Sequence, residues 1–202
     1  MKKTIVAIYG SPRKRGNTEK LMDSFLAGTK SGPAGNNLHI EKVAAARLNI
    51  SPCRGCRNCS RTGQCIIEDD MQDVYGLLEK ADLVAVASPI FFTTVSGYLK
   101  AVVDRCQRYW SLKYELKRRI IHKERQGIFF SCAGSDSDSI FDCARKVIRS
   151  FFDVLYINYH SDYVFNQIDE LGDIDKHPRA LNQVYEWGKS KQFYDLLKVG
   201  EK

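Results

Sequence analysis

The chain has 202 residues, enough for one domain to bury a real core, and its 44 % hydrophobic and 27 % charged composition is that of an ordinary globular protein. No run of about 18 apolar residues occurs, which excludes a membrane-spanning helix; the short apolar run behind Met1-Lys2-Lys3 stops at Gly10 with no small-residue cleavage site, so a cytoplasmic protein is expected. The net charge of +7 is spread along the chain, its one dense cluster Lys117-Arg118-Arg119 reads as a solvated helix end, and no recognition helix or aromatic ribbon accompanies it to indicate nucleic acid.

Ile5 to Tyr9 is a continuous apolar run, the pattern of a strand covered on both faces. Leu21, Met22, Phe25 and Leu26 then share one face of a helix, which Gly28 followed by Ser31-Gly32-Pro33 is expected to end. A weaker strand signal runs from Leu38 to Ala44. Met71, Val74, Tyr75 and Leu78 form a helical stripe with Asp69 or Asp70 placed to cap it. Leu83 to Ala87 repeats the buried-strand pattern, and Leu99, Val102, Val103 and Cys106 the helical one. Gln126 to Cys132 is the next strand, Ile140 to Phe151 the next helix, Val154 to Phe165 the last strand and Pro178 to Lys198 a final helix.

Strands alternating with helices predict an α/β fold, a three-layer sandwich around a five-stranded parallel sheet, as a single domain over 1–202 with a cysteine-bearing loop at about 45–70. Ligands of such sheets bind beyond the carboxyl ends of the strands. The loops after Tyr9, Ala87 and Phe130 are therefore the places to look.

The first loop, Gly10-Ser11-Pro12-Arg13-Lys14-Arg15-Gly16-Asn17-Thr18, leaves a buried strand and opens a helix, the context an anion site needs. Ser11, Asn17 and Thr18 can donate hydrogen bonds, Gly16 permits a tight backbone and Arg13 adds charge. It has neither a Gly-Lys-Ser/Thr ending nor Gly-x-Gly-x-x-Gly, so it is not a triphosphate P-loop or the usual dinucleotide fingerprint. Gly10-Ser11-Pro12-Arg13 with Gly16-Asn17-Thr18 resembles the FMN phosphate loop of the NAD(P)H-dependent FMN reductases of the flavodoxin-like superfamily. Ser88-Pro89-Ile90-Phe91-Phe92-Thr93, followed by Val95-Ser96-Gly97, is similar to that family's flavin-ring loop, with Phe91 where the family usually has Tyr. The resemblance implies a flavodoxin-like fold and an FMN site at Ser11, Pro12, Arg13, Gly16, Asn17, Thr18, Pro89, Ile90, Phe91, Phe92 and Thr93. Cys132, Ala133 and Gly134 fall where the family completes that site.

Seven cysteines are present, and four stand as Cys53-x2-Cys56-x2-Cys59-x5-Cys65. The other three, Cys106, Cys132 and Cys143, stand among apolar residues and are expected to be buried. Three thiolates two residues apart can take three corners of one cubane, and a fourth can reach the last iron after the turn at Thr62-Gly63. Structural zinc usually spaces its two cysteine pairs a dozen or more residues apart, so the loop is compact for zinc. Arg54, Arg57 and Arg61 would offset thiolate charge. With Asp69-Asp70-Met71 following, the segment resembles the iron–sulfur flavoprotein subgroup, which implies a [4Fe-4S] cluster on Cys53, Cys56, Cys59 and Cys65. It further implies electron transfer between FMN and cluster, from a ferredoxin-like donor or NAD(P)H to a quinone, dioxygen, a peroxide or another carrier. That subgroup's cysteine loop lies near a neighbouring subunit's flavin, so a homodimer or homotetramer is expected. Two further readings stay open: a cluster-free NAD(P)H-dependent FMN or quinone reductase, and a redox-sensing or partner-binding flavoprotein without turnover. No general acid or base is assigned, because the four histidines occur in no arrangement that demands one.

Overall fold

The computed structural model describes residues 2–198. Five strands, β1 (Lys3–Tyr9), β2 (Leu38–Ala44), β3 (Leu83–Phe91), β5 (Arg125–Cys132) and β6 (Ile157–Phe165), are parallel in the order β2-β1-β3-β5-β6. A two-residue strand, β4 (Thr94–Val95), folds back antiparallel on the end of β3. The sheet order is the flavodoxin-like one: the chain moves outward from β1 to β2, then crosses back to β3 on the other side of β1. That reversal opens a crevice between the carboxyl ends of β1 and β3.

The strand residues alternate between two cores. Val6, Ile8, Val84, Val86 and Phe129 meet α3 (Met71–Lys80), α4 (Gly97–Arg105), α5 (Gln107–Trp110) and α6 (Asp142–Val154) on one face. Ile5, Ala7, Leu83, Ala85, Ile128 and Phe130 meet α1 (Asn17–Ser31), α8 (Ala180–Lys189) and α9 (Lys191–Leu197) on the other. Short helices α2 (Asn58–Thr62) and α7 (Asp173–Lys176) lie in the loops that matter below. No helix among the described residues is long and apolar enough to cross a membrane.

The elements depart from expectation where non-local packing decides. Helix α1 runs through Gly28 to Ser31. Gly28 is a contact point rather than a stop: a Cβ there would collide with the Tyr185 carbonyl of α8, and one on Gly188 would collide with the Phe25 carbonyl, so the two glycines let α1 and α8 touch backbone to backbone. Val154 ends α6, and the last strand begins at Ile157. The expected final helix is two, divided at Ser190, whose hydroxyl accepts from the Phe193 amide at 3.1 Å and starts α9. Cys106 and Cys132 are buried, but Cys143 is exposed, because the buried stripe of α6 runs through Ala144, Ile148, Phe151 and Phe152.

Candidate functional site

The loops after β1, β3 and β5 converge on one cleft. Ser11, Arg13, Gly16, Asn17, Thr18, Pro89, Ile90, Phe91, Cys132, Ala133 and Gly134 line it, together with Ile168 and Asp169 from the segment after β6. Helix α1 begins here with Gly16 as its cap and no side chain bonded to its first amides, so the positive end of the helix is left for a ligand. Burial pushes the Cys132 thiol up to about 12, so it sits in the wall as a neutral group.

Ile168 and Asp169 carry no sequence signal, since Asp169 works through its main chain. The Arg13 guanidinium donates to the Asp169 carbonyl at 2.9 Å, and the Asn17 amide to the Glu170 carbonyl at 2.9 Å. Asn17 Oδ1 also accepts from the Gly172 and Ile174 amides at 3.1 and 3.4 Å. Asn17 is thus spent on tethering the segment after β6 instead of reaching toward an anion. Pro12 is exposed and outside the lining. The cleft holds about 50 Å³, less than a flavin occupies, and the bonds from Arg13 and Asn17 at its lining are exposed. The donor set itself (uncapped amides, a serine hydroxyl and a guanidinium beside an apolar slot of Pro89, Ile90 and Phe91) suits a phosphate joined to an aromatic ring system.

Phe92 and Thr93 are not in the lining. They form the two-residue turn between β3 and β4, with φ of 47° and 65°, and Phe92 is 100 % exposed. Both turn positions of such a hairpin need positive φ, a conformation costly for a β-branched residue. Thr93→Gly is accordingly expected to stabilise the protein by about 0.5–1 kcal/mol, net of the extra freedom of the unfolded chain. A denaturant midpoint at or below that of the wild type would show that the turn carries no such strain.

Three wholly buried serines, Ser88, Ser96 and Ser131, hold the loops in register. Ser96 donates to the Gly10 carbonyl, takes the Leu99 amide at 3.2 Å to cap α4, and gives its own amide to Ser88 Oγ at 3.0 Å. Ser131 Oγ donates to the Ser88 carbonyl at 2.7 Å. One hydroxyl ladder therefore joins the ends of β1, β3 and β5.

The cysteine loop makes a second site. Cys53, Cys56, Cys59 and Cys65 all line one cavity of about 350 Å³, with Arg54, Arg57, Arg105, Arg108, Trp110 and Glu115 in its wall. Arg61 lies outside it, exposed. Among the described residues none lines both cavities. Among the described residues, no three Cys, His, Asp or Glu side chains converge to hold a single metal ion.

Arg105 closes this loop from beneath. Its wholly buried side chain pairs with Asp69, 3 % exposed, at 2.6 Å, and donates to the Ser51 and Ile67 carbonyls at 2.9 and 3.1 Å. One guanidinium thus grips both ends of the segment that carries the cysteines. Asp69 accepts in turn from the Ser51 and Met71 amides at 2.8 and 3.1 Å. Inside the loop, Gly63 ends α2 at φ 75°, its amide on the Cys59 carbonyl at 2.9 Å; a Cβ there would stand 2.8 Å from Leu112. Glu115 pairs with Arg57 at 3.2 Å, and hydrogen bonding led by Ser60, together with the Arg57 charge, holds its carboxyl below the usual carboxylate range against the opposing effect of burial.

Comparison with known proteins agrees with this geometry. The profile of a family described as NADPH-dependent FMN reductase matches residues 3–158. An iron–sulfur flavoprotein of Archaeoglobus fulgidus is 36 % identical over 104 residues, 52 % of this chain and 46 % of that protein, so the chain spans about half of that relative's length. A protein of the same name from Methanosarcina thermophila is 28 % identical over 180 residues, 89 % of this chain and 86 % of that one. An NAD(P)H:quinone oxidoreductase from Methanothermobacter marburgensis has the same fold, with a TM-score of 0.68 at 14 % identity over 94 % of this chain and 96 % of the other. The chain belongs to the NADPH-dependent FMN reductase family, and the curated relatives it resembles carry the name iron–sulfur flavoprotein.

Proposed function

We propose that the protein is an FMN-dependent electron-transfer oxidoreductase in which the β1–β3–β5 cleft holds FMN and the cysteine cavity holds a [4Fe-4S] cluster. The observation that carries this reading is the gathering of all four loop cysteines around a single cavity of about 350 Å³. A cubane takes one thiolate at each of four corners, so cysteines spread round a cavity wall suit it; a lone zinc ion would require them to converge on one point. When bound, FMN exchanges hydride or single electrons and the cluster exchanges single electrons.

The chain's own residues then have distinct tasks. Ser11, Gly16 and Thr18 with the start of α1 bind the phosphate, and Arg13 neutralises it once released from Asp169. Pro89, Ile90 and Phe91 pack on the ring while the backbone of Cys132, Ala133 and Gly134 borders it. Arg54 and Arg57 offset the charge of the four thiolates.

On this reading electrons enter from NAD(P)H or a ferredoxin-like protein and leave to a quinone, dioxygen, a peroxide or another carrier. Because the two cavities share no residue, a homodimer or homotetramer that sets one chain's cysteine cavity against another's flavin cleft would shorten the path between them. Phe91 and Phe92, 41 % and 100 % exposed, offer that contact an apolar surface.

Protein purified without oxygen is expected to contain one FMN and about four irons per chain, with broad absorbance near about 400 nm. Cys56→Ser is expected to abolish the iron and that absorbance while the yellow flavin remains. Stoichiometric zinc without iron would overturn the cluster assignment.

A further inference from the structure

Behind the cysteine cavity the chain leaves α5 and forms a π-helical turn, Ser111–Glu115, closed by the Leu116 amide on the Ser111 carbonyl at 2.8 Å. Such turns are rare and widen the helix, bringing residues five apart to the same side. Trp110, just before the turn, and Glu115, at its end, both line the cavity. The turn also fixes Ser111, which is wholly buried and donates its hydroxyl to Cys59 Sγ at 3.5 Å. Ser60 Oγ lies 3.4 Å from Ser111 Oγ and completes a short hydroxyl relay. Among the described residues the side-chain hydrogen bond to a loop cysteine sulfur is this one, at Cys59, while the arginines of the cavity wall act on the others by charge alone.

We propose that Ser111 is a positioning residue that sets the reduction potential of the cluster through its hydrogen bond to Cys59, and that Glu115, on the same π-helical turn, opposes it. The inference rests on the cluster assignment above. On reduction the cluster gains one electron, no bond forms or breaks and no proton is taken up at Cys59, so the whole change is one added negative charge. A hydroxyl donated to a ligating sulfur stabilises that charge, and hydrogen bonds to the sulfurs are among the terms that set cluster potentials. A carboxylate in the cavity wall destabilises it, and Arg57, paired with Glu115, moderates the effect. One turn of helix therefore carries two groups of opposite sign acting on one centre.

The test is an anaerobic redox titration of the purified holoprotein, with iron and flavin content determined for each variant. Ser111→Ala is expected to shift the cluster midpoint negative by a three- to tenfold change in the one-electron equilibrium, about 30–60 mV at 59 mV per tenfold. Ser111→Thr, which keeps the hydroxyl, is expected to restore the wild-type midpoint. Glu115→Gln is expected to shift it positive, and the flavin midpoint is expected to stay put in all three. A merely structural role would not produce shifts of opposite sign from two residues on one turn. Four irons in Ser111→Ala with an unmoved midpoint overturns the proposal while leaving the cluster assignment standing; wild-type protein without iron overturns the cluster assignment itself. Should Ser111→Ala fail to hold iron, Ser111→Cys, a weaker donor, carries the test. Its midpoint is expected to move negative by less, and an unmoved midpoint overturns the proposal.

Discussion

Asp69→Ala is expected to cost about 3–5 kcal/mol and to release the cysteine loop from the body of the protein. The substitution strands the Arg105 guanidinium, whose side chain is wholly buried, with only the Ser51 and Ile67 carbonyls for company. The arithmetic is asymmetric. A buried pair contributes little over an apolar equivalent, but removing one partner leaves an uncompensated charge in a low dielectric, and that penalty dominates. Asp69→Asn keeps an acceptor and should cost less. The measurements are a urea unfolding midpoint and the rate of tryptic cleavage at Arg54, Arg57 and Arg61, which should rise as the loop loosens. A midpoint within about 0.5 kcal/mol of wild type would mean that Arg105 does not hold the loop.

The same pair sets an acid limit. Burial raises the Asp69 pKa, but hydrogen bonds from Arg105 and the Ser51 and Met71 amides outweigh it and hold the carboxyl below its ordinary value of 3.8. A group depressed in the folded state stabilises it fully above the unfolded value and ceases to do so as pH falls through the folded one. The stability gap between wild type and Asp69→Asn should therefore be constant near neutrality and close below about pH 4.

How far the molecule could be read from its residues follows from which interactions are local. Ile5 to Tyr9 and Leu83 to Ala87 declare themselves as strands because helices cover both faces, so every position is apolar. The loop after β1 was legible as a cleft wall for a similar reason: strand, loop and helix N-terminus are contiguous, and Ser11, Arg13, Gly16 and Thr18 reach the cleft with no help from elsewhere. Asn17 was legible as a loop residue but not in its task, since its partners Glu170, Gly172 and Ile174 lie more than 150 residues away. Asp169 was invisible because its contribution is a carbonyl oxygen that any residue possesses. The cysteine spacing announced a common cavity, yet the Arg105 that gathers the loop looked like any helical basic residue, 36 positions from Asp69. The π-helical turn at Ser111–Glu115 has no compositional mark at all.

Ser96→Ala is expected to cost about 1.5–5 kcal/mol, most of that range above what a single surface cap explains. The helix-capping bond to the Leu99 amide accounts for about 0.5–2 kcal/mol of that sum. The remainder comes from the Gly10 carbonyl, buried and deprived of its donor, a loss of about 1–3 kcal/mol. Ser96→Gly separates the two: glycine at a helix cap costs only a few tenths of a kcal/mol but cannot donate to Gly10, so a penalty close to that of alanine assigns most of the effect to the bond with Gly10. The functional consequence follows from position. Gly10 joins β1 to the proposed phosphate loop, and its amide is fixed on the Ala87 carbonyl of β3 at 2.7 Å. Freeing its carbonyl lets the phosphate loop move relative to Pro89 and Ile90, the two halves of the proposed FMN site. Fluorescence titration with FMN should then show affinity weakened roughly tenfold, about 1.4 kcal/mol, in addition to the lost stability. Unchanged affinity in a destabilised Ser96→Ala would confine the serine to holding the fold. Unchanged stability would mean that the Gly10 carbonyl finds another donor and that the serine ladder is not what keeps the loops in register.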